Sequence, residues 1–148
     1  MSKRGRLSHG FTCRVCDTCL CLHVQRAARA LARRFDEALR PLALTQAQFS
    51  LLMSLNRAQP PSIGEVSALL AMDRTTVTAN VKPLERRGLV KVRVDREDRR
   101  NRRLGLTPAG QALLAAAAPI WQRAHAATER RLRSSSPDIL RASLHDLY

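Results

Sequence analysis

Aromatic side chains are scarce in this chain: three Phe, one Trp and one Tyr make up 3% of 148 residues. Single-strand binders stack bases on a platform of such rings, so that mode of recognition is disfavoured. No stretch approaches the roughly 18 consecutive apolar residues of a membrane span. An anionic membrane surface is also a poor partner, because interfacial helices set Trp, Phe or Leu beside their basic residues. The N-terminus carries Lys3, Arg4 and Arg6, but neither an apolar segment nor a cleavage site follows, and no secretory leader is expected. Cysteine is absent from the last 127 residues; Cys13, Cys16, Cys19 and Cys21 crowd into nine. Such clustering cannot cross-link distant elements, so a disulfide scaffold is excluded and a cytoplasmic protein with reduced thiols is expected.

Acidic residues are also few, 12 against 26 Lys and Arg, for a net charge of +14. A hydrophobic fraction of 45% is too high for a disordered basic tail, and the length fits one soluble domain with an extra arm. An arginine-rich excess of this size fits a duplex phosphate backbone, where each neutralised phosphate releases counterions. Nine basic and three acidic residues fall in 1–44, twelve and six in 45–108, five and three in 109–148. The charge is therefore spread over the whole chain, and it concentrates locally in 82–87 and 91–103.

Periodicity gives the order of elements. Cys21, Val24, Ala28, Leu31, Phe35, Ala38 and Leu42 alternate steps of three and four, a helix with one apolar seam ending near Pro41. On that seam Cys21 reads as a small buried hydrophobe, with Arg26, Arg29, Arg33 and Arg34 on the solvent side. Thr45 and Gln48 have capping-box spacing, with Leu44 and Phe49 as the flanking staple, and this helix runs to Asn56. Ser62 and Glu65 repeat the box ahead of a short helix through Leu70; after Ala71-Met72, Asp73 caps a helix over 74–87 that Gly88 stops. Two short helices about a tight turn make a helix-turn-helix.

Within the second of them Pro83 cannot donate to the carbonyl of Ala79 and predicts a bend. Val90, Val92 and Val94 alternate with Lys91 and Arg93, and Leu104 and Leu106 alternate again beyond a charged tip, which predicts a hairpin. Thr107 and Pro108 open an alanine-rich helix extending to Leu132, kinked at Pro119. Ser136 and Pro137 restart a last helix carrying Ile139, Leu140, Leu144 and Leu147.

In this order the segments Met72-Asp73-Arg74-Thr75-Thr76-Val77-Thr78, Leu84-Glu85-Arg86-Arg87-Gly88-Leu89-Val90, Asp95-Arg96-Glu97-Asp98-Arg99-Arg100 and Leu106-Thr107-Pro108-Ala109-Gly110 resemble the MarR family of transcriptional regulators. The resemblance covers about residues 20–148. It implies a mainly α winged helix-turn-helix with a small β-hairpin wing and N- and C-terminal dimerisation helices. The corresponding division is an arm at 1–19, a dimerisation region at 20–44 and 109–148, and a DNA-binding region at 45–108. It further implies a homodimer on a pseudo-palindromic operator in double-stranded DNA, the two recognition helices about one turn apart. A repressor released by a small-molecule effector or by cysteine oxidation is the function expected.

Base-edge and phosphate candidates are Ser62, Arg74, Thr75, Thr76, Thr78, Asn80 and Lys82. Arg suits guanine, Asn adenine and Thr a phosphate or thymine methyl, while Lys82 reads as a phosphate contact. Thr75 and Thr76 have an alternative role as local caps. In the wing the resemblance pairs Asp98 with Arg100, the carboxylate aiming the guanidinium at the minor groove. Arg96, Arg99, Arg102 and Arg103 read as phosphate contacts, with a solvated basic loop as the alternative.

The cysteines leave three readings open: no regulatory role, redox sensing by Cys13, Cys16, Cys19 or Cys21, and metal binding. Their gaps of two, two and one do not match zinc knuckles or iron-sulfur runs, and no metal or cofactor is expected. The resemblance also implies an aromatic or phenolic effector, for which His23, Arg26 and Arg57 are cleft candidates, with a satisfied structural His and solvated Arg as the alternative that the residues favour. His125 and His145 have no metal-ligand spacing. No nucleophile-base pair or convergent carboxylates suggest an enzyme. A nonspecific architectural DNA-binding protein and a cysteine-based sensor remain the competing classes.

Overall fold

A computed structural model describes residues 6–148, so Lys3 and Arg4 of the expected arm lie outside the described residues. Seven α-helices and one antiparallel hairpin follow in the anticipated order, with one addition. The arm is itself helical: α1 spans His9–Thr18, capped by Ser8, whose Oγ accepts from the Phe11 amide at 3.3 Å. Cys19 stands in extended conformation between α1 and α2 (Leu20–Leu39), its Sγ accepting the Leu22 amide at 3.5 Å.

The apolar seam of α2 is buried only toward its C-terminus, at Phe35 and Leu39. Val24 and Leu31 remain 37% and 41% exposed. Cys21 is exposed as well, since among the described residues of one subunit no element covers that end of α2. A 3-10 turn (Arg40–Leu42) and left-handed Ala43 then redirect the chain.

Helix α3 (Gln46–Leu55) and helix α4 (Ile63–Leu70) both begin with complete capping boxes, Thr45 with Gln48 and Ser62 with Glu65. After left-handed Ala71, Asp73 caps α5 (Arg74–Arg86), and Gly88 ends it at φ +69°. Strand β1 (Val90–Val94) pairs with β2 (Arg102–Leu106), Val92 opposite Leu104. A bond of 2.9 Å from the Leu104 amide to the Pro61 carbonyl attaches this hairpin to the segment that starts α4. Helix α6 (Pro108–Glu129) ends three residues short of Leu132, and α7 (Pro137–His145) closes the chain. Both α5 and α6 run on through their prolines, Pro83 and Pro119.

One core joins these pieces. Leu51, Leu52 and Leu55 of α3, Val66 of α4, Val77, Val81 and Leu84 of α5, Val90 and Leu104 of the hairpin and Leu114 and Ala117 of α6 form a continuous buried cluster with Leu39. Burying one such leucine or valine is worth about 1.5–3 kcal/mol, so the cluster fixes α5 and the hairpin to a common frame. Helix α7 buries no residue, and Ile139, Leu140, Leu144 and Leu147 all stay exposed.

Candidate nucleic-acid interface

Helix α5 has two faces. Val77, Val81 and Leu84 lie in the core, which turns Arg74, Thr75, Thr78 and Lys82 to solvent and leaves Asn80 half-buried. Its start is held by Asp73, whose carboxylate accepts the Thr76 amide at 2.8 Å and the Thr76 hydroxyl at 2.7 Å. The hydroxyl and amide of Thr76 hold the Asp73 carboxyl below its ordinary pKa. Thr76 is therefore engaged as a cap, the alternative its sequence position left open. Thr78 donates to the Arg74 carbonyl at 2.8 Å. A methyl carbon on Gly64 would fall 3.0 Å from Nη2 of Arg74, so the bare second position of α4 makes room for that guanidinium. Ser62 is taken up by its box with Glu65 and by a bridge to Arg103.

The hairpin tip is organised by two carboxylates. Asp95 accepts the Glu97 amide at 2.9 Å and Nε of Arg103 at 2.6 Å. The Glu97 amide and the Arg103 guanidinium hold the Asp95 carboxyl below its ordinary range. Arg103 reaches further, to Glu65 at 3.1 Å and the Pro60 carbonyl at 3.3 Å. Arg103, read as a phosphate contact or part of a solvated loop, thus ties the wing to the start of α4. The expected side-chain pairing of Asp98 with Arg100 is not formed. Asp98 Oδ1 accepts the Arg100 backbone amide at 3.0 Å and its Oδ2 the Asn101 side chain at 3.0 Å. Two residues apart in a tight turn, a short carboxylate reaches the amide ahead of it and not the guanidinium. Arg96, Arg99 and Arg100 point free of ion pairs among the described residues, while Arg102 donates to the Arg99 carbonyl at 3.1 Å.

Away from α5 and the wing, Cys13 and Cys16 are exposed on α1, and Cys13 Sγ lies 3.4 Å from His9 Nε2. No group of three or more metal-binding side chains converges among the described residues. His23 is exposed and meets the Asp17 carbonyl at 3.2 Å. Neither His23, Arg26 nor Arg57 lines either of two apolar grooves on one subunit. One groove, of about 420 Å³, runs between α2 and α7 past Leu31, Phe35, Leu132, Leu140 and Leu144. The other, about 580 Å³, lies between α3, α4 and α6 beside Met53, Leu69 and Trp121.

Sequence reasoning missed the role of Gly64 and the ties of Arg103 to Asp95 and Glu65. The hairpin register and the strand pairing at Pro61 bring them together, and neither leaves a periodic signal in the sequence.

A two-helix motif whose second helix shows polar side chains outward, flanked by a basic hairpin packed on the same core, is a winged helix-turn-helix. Comparison with known proteins agrees. The MarR family pattern matches residues 44–101. The M. tuberculosis transcriptional regulator MosR, solved in complex with DNA, is 34% identical with a TM-score of 0.80, over 88% of this chain and 93% of that one. The HTH-type transcriptional regulator TtmR of Methylorubrum extorquens (strain PA1) is 34% identical over 97 residues, 66% of this chain. YwoH of Bacillus subtilis (strain 168), an uncharacterized HTH-type transcriptional regulator, is 33% identical over 84 residues, 57% of this chain. The match spans half the length of TtmR and 61% of YwoH. The chain belongs to the MarR family. No helix among the described residues is long and apolar enough to cross a membrane.

Proposed function

We propose that this chain is a cytoplasmic, sequence-specific regulator of transcription that binds a pseudo-palindromic operator in double-stranded DNA as a homodimer. The observation that carries the reading is the division of α5, core-facing through Val77, Val81 and Leu84 and solvent-facing through Arg74, Thr75, Thr78 and Lys82. A helix so mounted, N-terminal half outward, has the size and chemistry to enter a major groove. The free arginines of the wing tip, Arg96, Arg99 and Arg100, lie on the adjoining element, where a minor groove or phosphates would be met. The MosR structure contains DNA, which favours the same use here.

The dimer is supported by apolar surface that one subunit leaves open: the N-terminal half of α2, all of α7 and the groove between them. A second copy covers such faces in a symmetric interface. On this reading residues 20–44 and 109–148 join the subunits, 45–108 bind DNA, and the segment before 20 is an accessory arm. Repression relieved by a ligand or by thiol oxidation is the mode of action we favour. The exposed Cys13 beside His9 and the apolar groove at Trp121 are the features that serve it.

The test is selection of a duplex from a random library, followed by competition. Wild type should hold its selected site against an excess of random duplex. Lys82→Ala should weaken both alike, and Arg74→Ala or Asn80→Ala should erode the difference between them. Equal affinity for selected and random DNA would favour an architectural, nonspecific role.

A further inference from the structure

Arg87 closes α5 as its C-cap, and its exposed side chain reaches 44 and 45 residues back along the chain. Nη1 donates to the Ala43 carbonyl at 2.7 Å and Nη2 to the Leu42 carbonyl at 3.3 Å. These carbonyls sit at the corner where α2 turns into α3, in the 3-10 turn and the left-handed residue after it. Asp36 of α2 fastens the same corner from the other side, its Oδ1 accepting the Gln46 amide at 2.6 Å. One planar guanidinium thus spans the end of the recognition helix and the junction with the dimerisation helix.

We infer that Arg87 is a positioning residue that sets the tilt of the DNA-reading head on the dimerisation helices, and with it the spacing between operator half-sites. The inference rests on the dimeric DNA-binding reading above. Its lever is geometric. A 13-residue helix is about 20 Å long, so about 5° of rotation at its C-terminal end displaces its N-terminus by about 1.7 Å. Two symmetric heads moving together change their separation by up to about 3.4 Å, one base-pair rise. A lysine keeps the positive charge at this position but cannot make the two-armed contact.

The experiment uses the full chain and a duplex selected by wild type from a random library, rebuilt with one base pair removed from or added to its centre. Wild type should lose about tenfold or more in affinity on either altered spacer, as for other single defects in a site. Arg87→Ala and Arg87→Lys should both compress that loss to about threefold or less, keep wild-type base preference within each half-site and remain dimeric in light scattering. A spacer preference unchanged in Arg87→Lys overturns the inference, since the charge without the fork would then suffice. Uniform weakening on all three spacers in Arg87→Ala, restored by lysine, assigns Arg87 to a phosphate and also overturns it. Wild type indifferent to spacing removes the dimer reading itself, and the inference with it.

Discussion

Alanine at position 110 would set its methyl carbon 2.1 Å from the Leu89 carbonyl oxygen, 3.1 Å from the carbonyl carbon and 3.4 Å from Cδ2 of Leu106. The nearest neighbour is backbone, so no rotamer change relieves the clash. That same oxygen accepts the Thr107 amide at 3.0 Å, while the Thr107 hydroxyl donates to the Gly88 carbonyl at 2.6 Å and accepts the Gly110 amide at 3.0 Å. Separating α6 from Leu89 by about 1 Å costs about 1–3 kcal/mol as overpacking. Loss of the Thr107 bond adds about 1 kcal/mol. Better helix propensity of Ala over Gly returns about 1 kcal/mol. The net destabilisation of Gly110→Ala is therefore about 1–3 kcal/mol, a fall of about 3–10 °C in Tm.

Trp121, the sole tryptophan, stacks on Phe49 at 6.2 Å and reports unfolding by fluorescence in urea at one fixed protein concentration. Because Leu89 and Thr107 bracket the wing, the variant should also bind DNA more weakly at temperatures where it stays folded. Stability equal to or above wild type would refute the close-approach argument.

Ala71→Gly should stabilise by up to about 1 kcal/mol, because Ala71 is held at φ +50° where a side chain is penalised; a lower urea midpoint would contradict this. Asp95→Asn should loosen the wing tip, raising protease cleavage within 95–102 while the urea midpoint moves less than in Gly110→Ala. Asp73, Asp95 and Glu65 all have carboxyls depressed below their ordinary values, so the unfolded chain takes up their protons first. Their contribution is complete above about pH 5 and is lost as pH falls through the folded values. Urea midpoints from pH 3 to 7 should show that acid limb, shallower in Asp95→Asn; no difference would contradict the assigned hydrogen bonds.

Local chemistry made most of this fold legible. Thr45 with Gln48, Ser62 with Glu65, Asp73, Gly88, Thr107 and Ser136 each mark a boundary found within a residue or two, because caps satisfy amides close in sequence. Two left-handed alanines, Ala43 and Ala71, went unread since glycine is the residue that signals that conformation. Helix α1 was hidden because its apolar residues are few, and Phe11 and Val15, like Leu7 just before its cap, stay exposed in one subunit. The polar residues in the N-terminal half of α5 were readable once Asp73 and Gly88 set its ends. The Asp95–Arg103–Glu65 network and the Arg87 contacts were not, since they depend on strand register and on the α2–α3 corner.

The most direct test of the account is the ratio of affinities for a selected operator duplex and random duplex, measured by fluorescence anisotropy at one physiological salt concentration. We predict a ratio of about 1,000 or more for wild type, as specific regulators show, reduced at least about tenfold by Arg74→Ala. A wild-type ratio near one, or a ratio untouched by Arg74→Ala and Asn80→Ala, would contradict the assignment of α5 as the element that reads sequence.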